Sequence, residues 1–196
     1  KMADPPNQQQ IANIQNGNYE IKCIQINLQH SKAATDNLMK IIDEKNIDIV
    51  LVQEPYLRNN KLARIPRKHK LFAIEENGAR AAVLISNHQM DTILIKQLSD
   101  EDAIVVEIIH RTKRFYITSI YMDSRRDINV DFAKIEKIIT FTSGVGLVIA
   151  ADTNSRSTMW HDTTTNARGR TMEDFISSKH LFIMNEESPL TTFENR

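Results

Sequence analysis

Glu54 and Asp152 each stand where a short apolar run breaks off: Ile49-Val50-Leu51-Val52-Gln53 leads into Glu54, and Leu147-Val148-Ile149-Ala150-Ala151 leads into Asp152. Brief β-branched runs bounded by turn signals read as buried strands, and in layered α/β folds functional groups collect at strand ends. The two acids are therefore expected to share one rim. Carboxylates a few ångströms apart in a partly dry site cannot both stay ionised without a cation or a donor to offset them. A divalent ion meets that need. Hard oxygen ligands, with six histidines and one cysteine in the whole chain, favour Mg²⁺ over Zn²⁺, with Mn²⁺ as the ion able to replace it. Mg²⁺ held by one or two carboxylates usually handles phosphate. The chemistry expected is metal-assisted phosphoester hydrolysis.

Other polar groups sit at comparable places. Asn27 follows the run Ile21 to Ile26, Tyr121 ends the run from Arg114, and Thr153-Asn154 extends Asp152. Each alone has an ordinary reading as turn former, interface aromatic or helix cap. Together they match the needs of in-line attack on a phosphodiester: an ion to offset charge, a group to orient water, and neutral donors for the phosphate oxygens. Glu54 suits the ion and Asp152 the water. Asn154 and Asn27 suit orientation of the base and the phosphate, and the Tyr121 hydroxyl suits a phosphate oxygen.

The elements that must position these groups follow from periodicity. Ile21 to Ile26 reads as a strand, Ser31 caps a helix over Lys32 to Lys45, and Asp48 to Gln53 is a second strand, so the opening unit favours a parallel pair with a crossover. Leu71 to Glu75, Arg80 to Ser86, Thr92 to Lys96, Ala103 to His110 and Arg114 to Tyr121 then follow as strands without helices, which predicts an antiparallel meander. A helix from Ile128 to about Thr142 precedes the strand Leu147 to Ala151, and a third helix is expected near Gly169 to Lys179. Strands are expected at Leu181 to Met184 and at Leu190 to Phe193.

The chain has 196 residues, 41% hydrophobic and 26% charged, which fits one globular domain with a sizeable core. Residues 1–19, rich in amides and proline, are expected to form a flexible polar arm ahead of a domain over 20–196. Apolar stretches of about 18 residues and signal-peptide patterns are lacking, so no membrane partner is expected. The lone Cys23 rules out a disulfide within the chain and reads as a small buried hydrophobe. With 25 basic and 25 acidic residues the net charge is zero, which argues against strong non-specific nucleic-acid binding by the whole molecule. Local clusters containing Arg64 and Lys68, then Arg125 and Arg126, are the candidates for phosphate contacts, and Trp160 is either a small-core anchor or a platform for a base.

Asn27-Leu28-Gln29, Gln53-Glu54-Pro55-Tyr56, Ser119-Ile120-Tyr121, Asp152-Thr153-Asn154-Ser155 followed by Trp160, and Thr191-Thr192-Phe193 resemble, in order, the apurinic-endonuclease-like domain of non-LTR retrotransposon polyproteins. That domain belongs to the exonuclease-endonuclease-phosphatase superfamily, and the Gln-Glu-Pro-Tyr and Asp-x-Asn…Trp patterns point especially to its arthropod site-specific elements. The resemblance runs from about Glu20 to Arg196. It implies a four-layered α/β sandwich, two mixed or antiparallel sheets flanked by helices. It also implies a Mg²⁺-dependent endonuclease that nicks double-stranded DNA in the nucleus after synthesis in the cytoplasm, leaving a 3′-hydroxyl for a covalently linked reverse transcriptase to extend. By motif position, Glu54 and Asn27 would lie at the metal, Asp152 would orient or deprotonate the water, Asn154 would support it, and Tyr121 would contact the scissile phosphate.

Two departures stand out. Ala150-Ala151 replaces the family's usual glycine pair, a small change in volume. The family also continues into a Ser-x-x-Asp strand and a Ser-Asp-His segment with a catalytic histidine. This chain stops at Arg196, so it is expected to be C-terminally incomplete and impaired. His161, beside Trp160, reads as a loop-surface histidine rather than a substitute. The alternatives are a phosphatase or deadenylase of the same fold and a catalytically silent DNA-binding module.

Overall fold

Ile49–Gln53 and Ala81–Ile85 are buried at every position, which a strand achieves only when both faces of its sheet are covered. The computed structural model describes residues 9–16 and 19–185, and in it these two strands, β3 and β7, are neighbours at the heart of a five-stranded sheet of order β1-β2-β3-β7-β6. Its other members are β1 (Gln9–Asn16), β2 (Tyr19–Asn27) and β6 (Lys70–Phe72). β2 and β3 run parallel, joined through helix α1 (Lys32–Lys45), and the remaining pairs are antiparallel. A small separate hairpin, β4 (Leu57–Arg58) and β5 (Lys61–Leu62), follows β3.

The second sheet has the order β11-β10-β9-β8, from β8 (Asp91–Leu94), β9 (Ala103–His110), β10 (Lys113–Tyr121) and β11 (Gly146–Asp152). β10 and β11 are parallel across helix α2 (Ile128–Phe141), and helix α3 (Ala167–Ser178) follows. Three apolar clusters define the layers. Ile49, Val83, Ile104 and Ile117 meet between the sheets, Leu38 and Ile42 of α1 cover Val50 and Leu84, and Phe132, Ile135 and Phe175 of α2 and α3 cover Val105 and Ile120. The expected four-layered α/β sandwich is the architecture found.

Helix ends are set by local chemistry. The Ser31 hydroxyl accepts from Ala34 N, and Asn46 in the left-handed region closes α1. Asn166 accepts from Gly169 N at 2.7 Å to open α3. Gly169 has no substitute there: a Cβ would lie 1.8 Å from the Arg156 carbonyl oxygen. That close approach docks α3 on the loop after β11, where Asp152 and Asn154 stand.

Several expectations are corrected. The predicted meander is split between two sheets, because Ser86 to Met90 carries the chain from β7 in the first to β8 in the second. Alternation and β-propensity do not encode which sheet a strand joins. The polar segment 1–19 is not an arm throughout, since Gln9–Asn16 pairs antiparallel along β2, Gln9 opposite Ile26 and Asn16 opposite Tyr19. Backbone pairing at a sheet edge needs no apolar composition. Leu181 to Met184 is not a strand, and Phe182 there is 93% exposed. Leu190 to Phe193, with the Thr-Thr-Phe pattern, lies outside the described residues.

Candidate active site

The two sheets are locked together at one end by buried polar groups. Gln53, fully buried, donates from Nε2 to Ser119 Oγ at 2.9 Å and to the Ala150 carbonyl at 3.3 Å, while Ser119 Oγ donates to the Val52 carbonyl at 2.8 Å. Gln25 Nε2 adds a bond to the Ala151 carbonyl at 3.1 Å. Directional bonds across an otherwise apolar interface fix the relative advance of β3, β10 and β11. Register then aligns their ends: Asn27 pairs with Gln53, and Tyr121 with Asp152. Strand ends from both sheets thus meet on one rim, as the positions of the acids implied.

On that rim Asp152 is held from two sides. Asn27 Nδ2 donates to its Oδ2 at 2.6 Å, and the Asn154 backbone N–H donates to its Oδ1 at 3.1 Å. Asn27 Oδ1 in turn accepts from Gln29 N at 2.8 Å, and Asn154 Nδ2 donates to the Met122 carbonyl at 3.0 Å, so neither amide can flip without losing a bond. Glu54 leaves β3 in the left-handed region, φ +47°, its N–H bound to the Arg80 carbonyl at 2.8 Å. Asn154 has the same φ of +47°. Such backbone costs roughly 1–3 kcal/mol in a non-glycine residue and turns the side chain out of the strand direction. The Glu54 carboxylate stands 3.7 Å from His30 Nε2, whose Nδ1 faces the Pro55 carbonyl at 3.1 Å. Burial, then the charge of Glu54, raises the Tyr121 hydroxyl above its ordinary pKa, and Asn154 partly offsets this. The phenol is therefore a protonated donor at neutral pH, set between Glu54 and Asn154.

Among the described residues no lysine or arginine forms an ion pair with Glu54 or Asp152. Nor does any group of three or more His, Cys, Asp or Glu side chains gather to hold a metal. A hard ion held by one or two carboxylates, an amide oxygen and water needs no such group.

Beside the rim lies a network that the sequence did not reveal. Arg80 binds Asp102 through Nε at 2.5 Å and Nη2 at 2.8 Å, binds Asp123 through Nη1 at 2.9 Å, and lies over the Tyr121 ring at 5.3 Å. Arg126 joins Asp102 at 2.7 Å to the fully buried Asp131. Arg168 of α3 donates to the carbonyls of Thr153 at 3.0 Å, Arg126 at 3.3 Å and Asp123 at 3.3 Å, tying together the loops after β10 and β11. Hydrogen bonds from Arg125, then Arg80, hold the Asp123 carboxyl well below the usual carboxylate range, whereas burial raises that of Asp131 against the pull of Arg126.

The structure brings Asn27, Glu54, Tyr121, Asp152 and Asn154 together. The residues proposed for DNA contacts are dispersed. Arg64 pairs with Asp36 at 2.8 Å and Lys68 with Asp43 at 2.6 Å, both on α1. Arg125 is 87% exposed beside the rim, Arg126 is engaged in the network, and Trp160 is half-buried against the apolar cluster under α2 and α3. His161 is exposed, facing the Asn185 carbonyl at 3.2 Å.

Two sheets face to face between helices, with Asn, Glu, Tyr and Asp-x-Asn converging where strands of both sheets end, define the exonuclease-endonuclease-phosphatase fold. Its relatives are more particular. Residues 115–196 match the family model described as Endonuclease-reverse transcriptase. The endonuclease domain of TRAS1, a telomere-specific non-LTR retrotransposon, superimposes with a TM-score of 0.76 at 27% identity, over 85% of this chain and 74% of that one. An endonuclease/exonuclease/phosphatase family protein from Leptotrichia buccalis C-1013-b shares the fold at a TM-score of 0.53 and 17% identity, over 83% of this chain and 74% of that one. The putative 115 kDa protein in type-1 retrotransposable element R1DM of Drosophila melanogaster is 18% identical over 180 residues. The match covers 88% of this chain but 17% of that protein, so the chain spans about a sixth of its relative's length. The chain is similar to the endonuclease domains of non-LTR retrotransposons, as its motifs implied.

Proposed function

We propose that this domain nicks double-stranded DNA by Mg²⁺-dependent hydrolysis of a phosphodiester, leaving a 3′-hydroxyl that a covalently linked reverse transcriptase extends. The observation that carries the proposal is Asp152, fixed at both oxygens by Asn27 and Asn154, on one rim with Glu54 and Tyr121. A carboxylate so held is aimed to take a proton from attacking water rather than to swing toward solvent. The Tyr121 hydroxyl, kept protonated, donates to a phosphate oxygen. Glu54 and the Asn27 amide oxygen, both at strand ends of the same rim, offer the hard donors that suit Mg²⁺ or Mn²⁺. When bound, the ion offsets charge on the phosphate. Nuclear DNA is the substrate this reading requires, and the linked domain adds grip that a chain of zero net charge lacks.

The resemblance assigns a further acid/base histidine to a Ser-Asp-His segment that these 196 residues do not contain, so the test compares the chain as it stands with one extended through that segment. In Mg²⁺ the extended chain is expected to nick supercoiled plasmid, to leave inositol phosphates and poly(A) intact, and to produce ends that a polymerase extends without prior repair. The shorter chain should be about 10²–10⁴-fold slower. Release of phosphate from inositol phosphates, or shortening of poly(A), with plasmid left intact would replace the reading with a phosphatase or deadenylase.

A further inference from the structure

The polypeptide leaves the rim at Glu54-Pro55 and within a few residues forms the β4–β5 hairpin, Leu57 opposite Leu62 and Arg58 opposite Lys61. Its two-residue turn is Asn59-Asn60, both in the left-handed region at φ +53° and +60°. That is the geometry whose twist matches paired strands, and asparagine tolerates it better than most residues. The base of the hairpin is anchored: Leu62 N donates to the Glu75 carboxylate at 2.7 Å, Ala63 N donates to the Tyr56 carbonyl at 3.1 Å, and Leu62 packs toward the α1 cluster. Its tip is the reverse. Arg58, Asn59, Asn60 and Lys61 are all exposed. Neither Arg58 nor Lys61 forms an ion pair with a described residue, in contrast to Arg64, Lys68, Arg125 and Arg126.

We infer that this hairpin is a base-reading element, with Asn59 and Asn60 contacting base edges and Arg58 and Lys61 seating on the flanking phosphates. The inference rests on the DNA-nicking reading and deepens it by assigning where sequence preference originates. Three arguments support it. Asparagine amides pair both donor and acceptor with adenine's major-groove edge, and a two-stranded ribbon fits that groove. Cations on either side of the amides supply the phosphate contacts that fix register but carry no sequence information. Reach is also right. Asn59 lies five residues beyond Glu54, at most roughly 17 Å of extended chain, so the tip reads bases within about five base pairs of the bond attacked, at about 3.4 Å per base pair. A turn held in one conformation loses little entropy on binding, which suits an element that must discriminate rather than merely adhere.

The test separates reading from cutting. The domain carrying Asp152→Ala, which binds without turnover, is used to select bound duplexes from a pool randomised over ten base pairs. A second version also carries Asn59→Gly and Asn60→Gly, which keep the turn because glycine adopts the same backbone region. Unchanged circular dichroism and melting temperature establish that both are folded. The first version is expected to enrich a short motif, and the glycine version to lose on the order of tenfold preference at one or two of its positions with overall affinity little changed. Arg58→Ala or Lys61→Ala should instead weaken binding to all sequences and lower the salt dependence by about one ion each. Retention of the same motif by the glycine version overturns the inference while leaving DNA nicking untouched, as does a pool recovered without any preference. Absence of DNA binding by the parent domain even at low salt, where phosphate contacts are strongest, overturns both.

Discussion

Two neighbouring sets of carboxylates in this molecule are treated in opposite ways. Asp102, Asp123 and Asp131 are each matched by arginine, and Arg80, Arg126 and Arg168 tie the loops after β10 and β11 into one ion-paired body. Glu54 and Asp152, on the rim, have amides, a phenol and one exposed histidine around them, and no arginine or lysine pairs with either among the described residues. Charge in the first set is neutralised within the chain and serves rigidity. In the second it is oriented but not neutralised by arginine or lysine, a condition that suits the proposed divalent ion and phosphate. Acidity alone does not set the two apart; on the proposed reading, acidity without an arginine or lysine partner, on groups held by neutral donors, marks the site.

Variants should therefore divide cleanly. Asp152→Ala is expected to lower Mg²⁺-dependent nicking by about 10³-fold or more, while the free energy of unfolding falls by about 1–2 kcal/mol, since only the two bonds to Asn27 and Asn154 are lost. Asp131→Ala should do the converse. It removes one of the two carboxylates that hold the partly buried Arg126 and leaves Asp102 at 2.7 Å as its partner, so urea unfolding should show a loss of about 1.5–3 kcal/mol, with residual nicking in proportion to the folded fraction. The smallest effect is expected of Asp123→Asn, and it should depend on pH. The folded-state pKa of Asp123 lies below the unfolded value, about 3.9 for aspartate. Its stabilisation is therefore fully present above the unfolded pKa and disappears as pH falls through the folded one. Wild type should exceed the variant in thermal stability at pH 7, and the gap should close in acid below about pH 4. A gap that widens in acid would contradict the assignment.

The rim could be read from the sequence because each of its members ends an apolar run, and a strand end is the one place where a local pattern predicts a tertiary position. Glu54 after Ile49–Gln53 and Asp152 after the β11 run needed no knowledge of partners. The arginine network could not be found that way. Arg80 meets Asp102 and Asp123 at separations of 22 and 43 residues, and Arg168 meets Asp123 at 45, and nothing in a charge pattern encodes such pairings. The same blindness explains why Arg126 reads from the sequence as a DNA contact and is found bound to Asp102 and Asp131. β1 was hidden because an edge strand held by backbone bonds tolerates amides, which read as an unstructured arm. The β4–β5 hairpin did carry a signal, the Asn59-Asn60 pair, but its strands are two residues each, too short for alternation to register.

The most direct test of the central claim, that unpaired rim carboxylates rather than the neutralised network perform phosphodiester hydrolysis, is the rate of supercoiled-plasmid nicking in Mg²⁺. It should be measured for the chain extended through the Ser-Asp-His segment as wild type, Asp152→Ala and Asp131→Ala, each normalised to its folded fraction. Expected are near-wild-type normalised nicking for Asp131→Ala, a loss of about 10³-fold or more for Asp152→Ala, and no nicking by wild type when Mg²⁺ is chelated. Nicking that survives Asp152→Ala, or that continues in chelator, would contradict it.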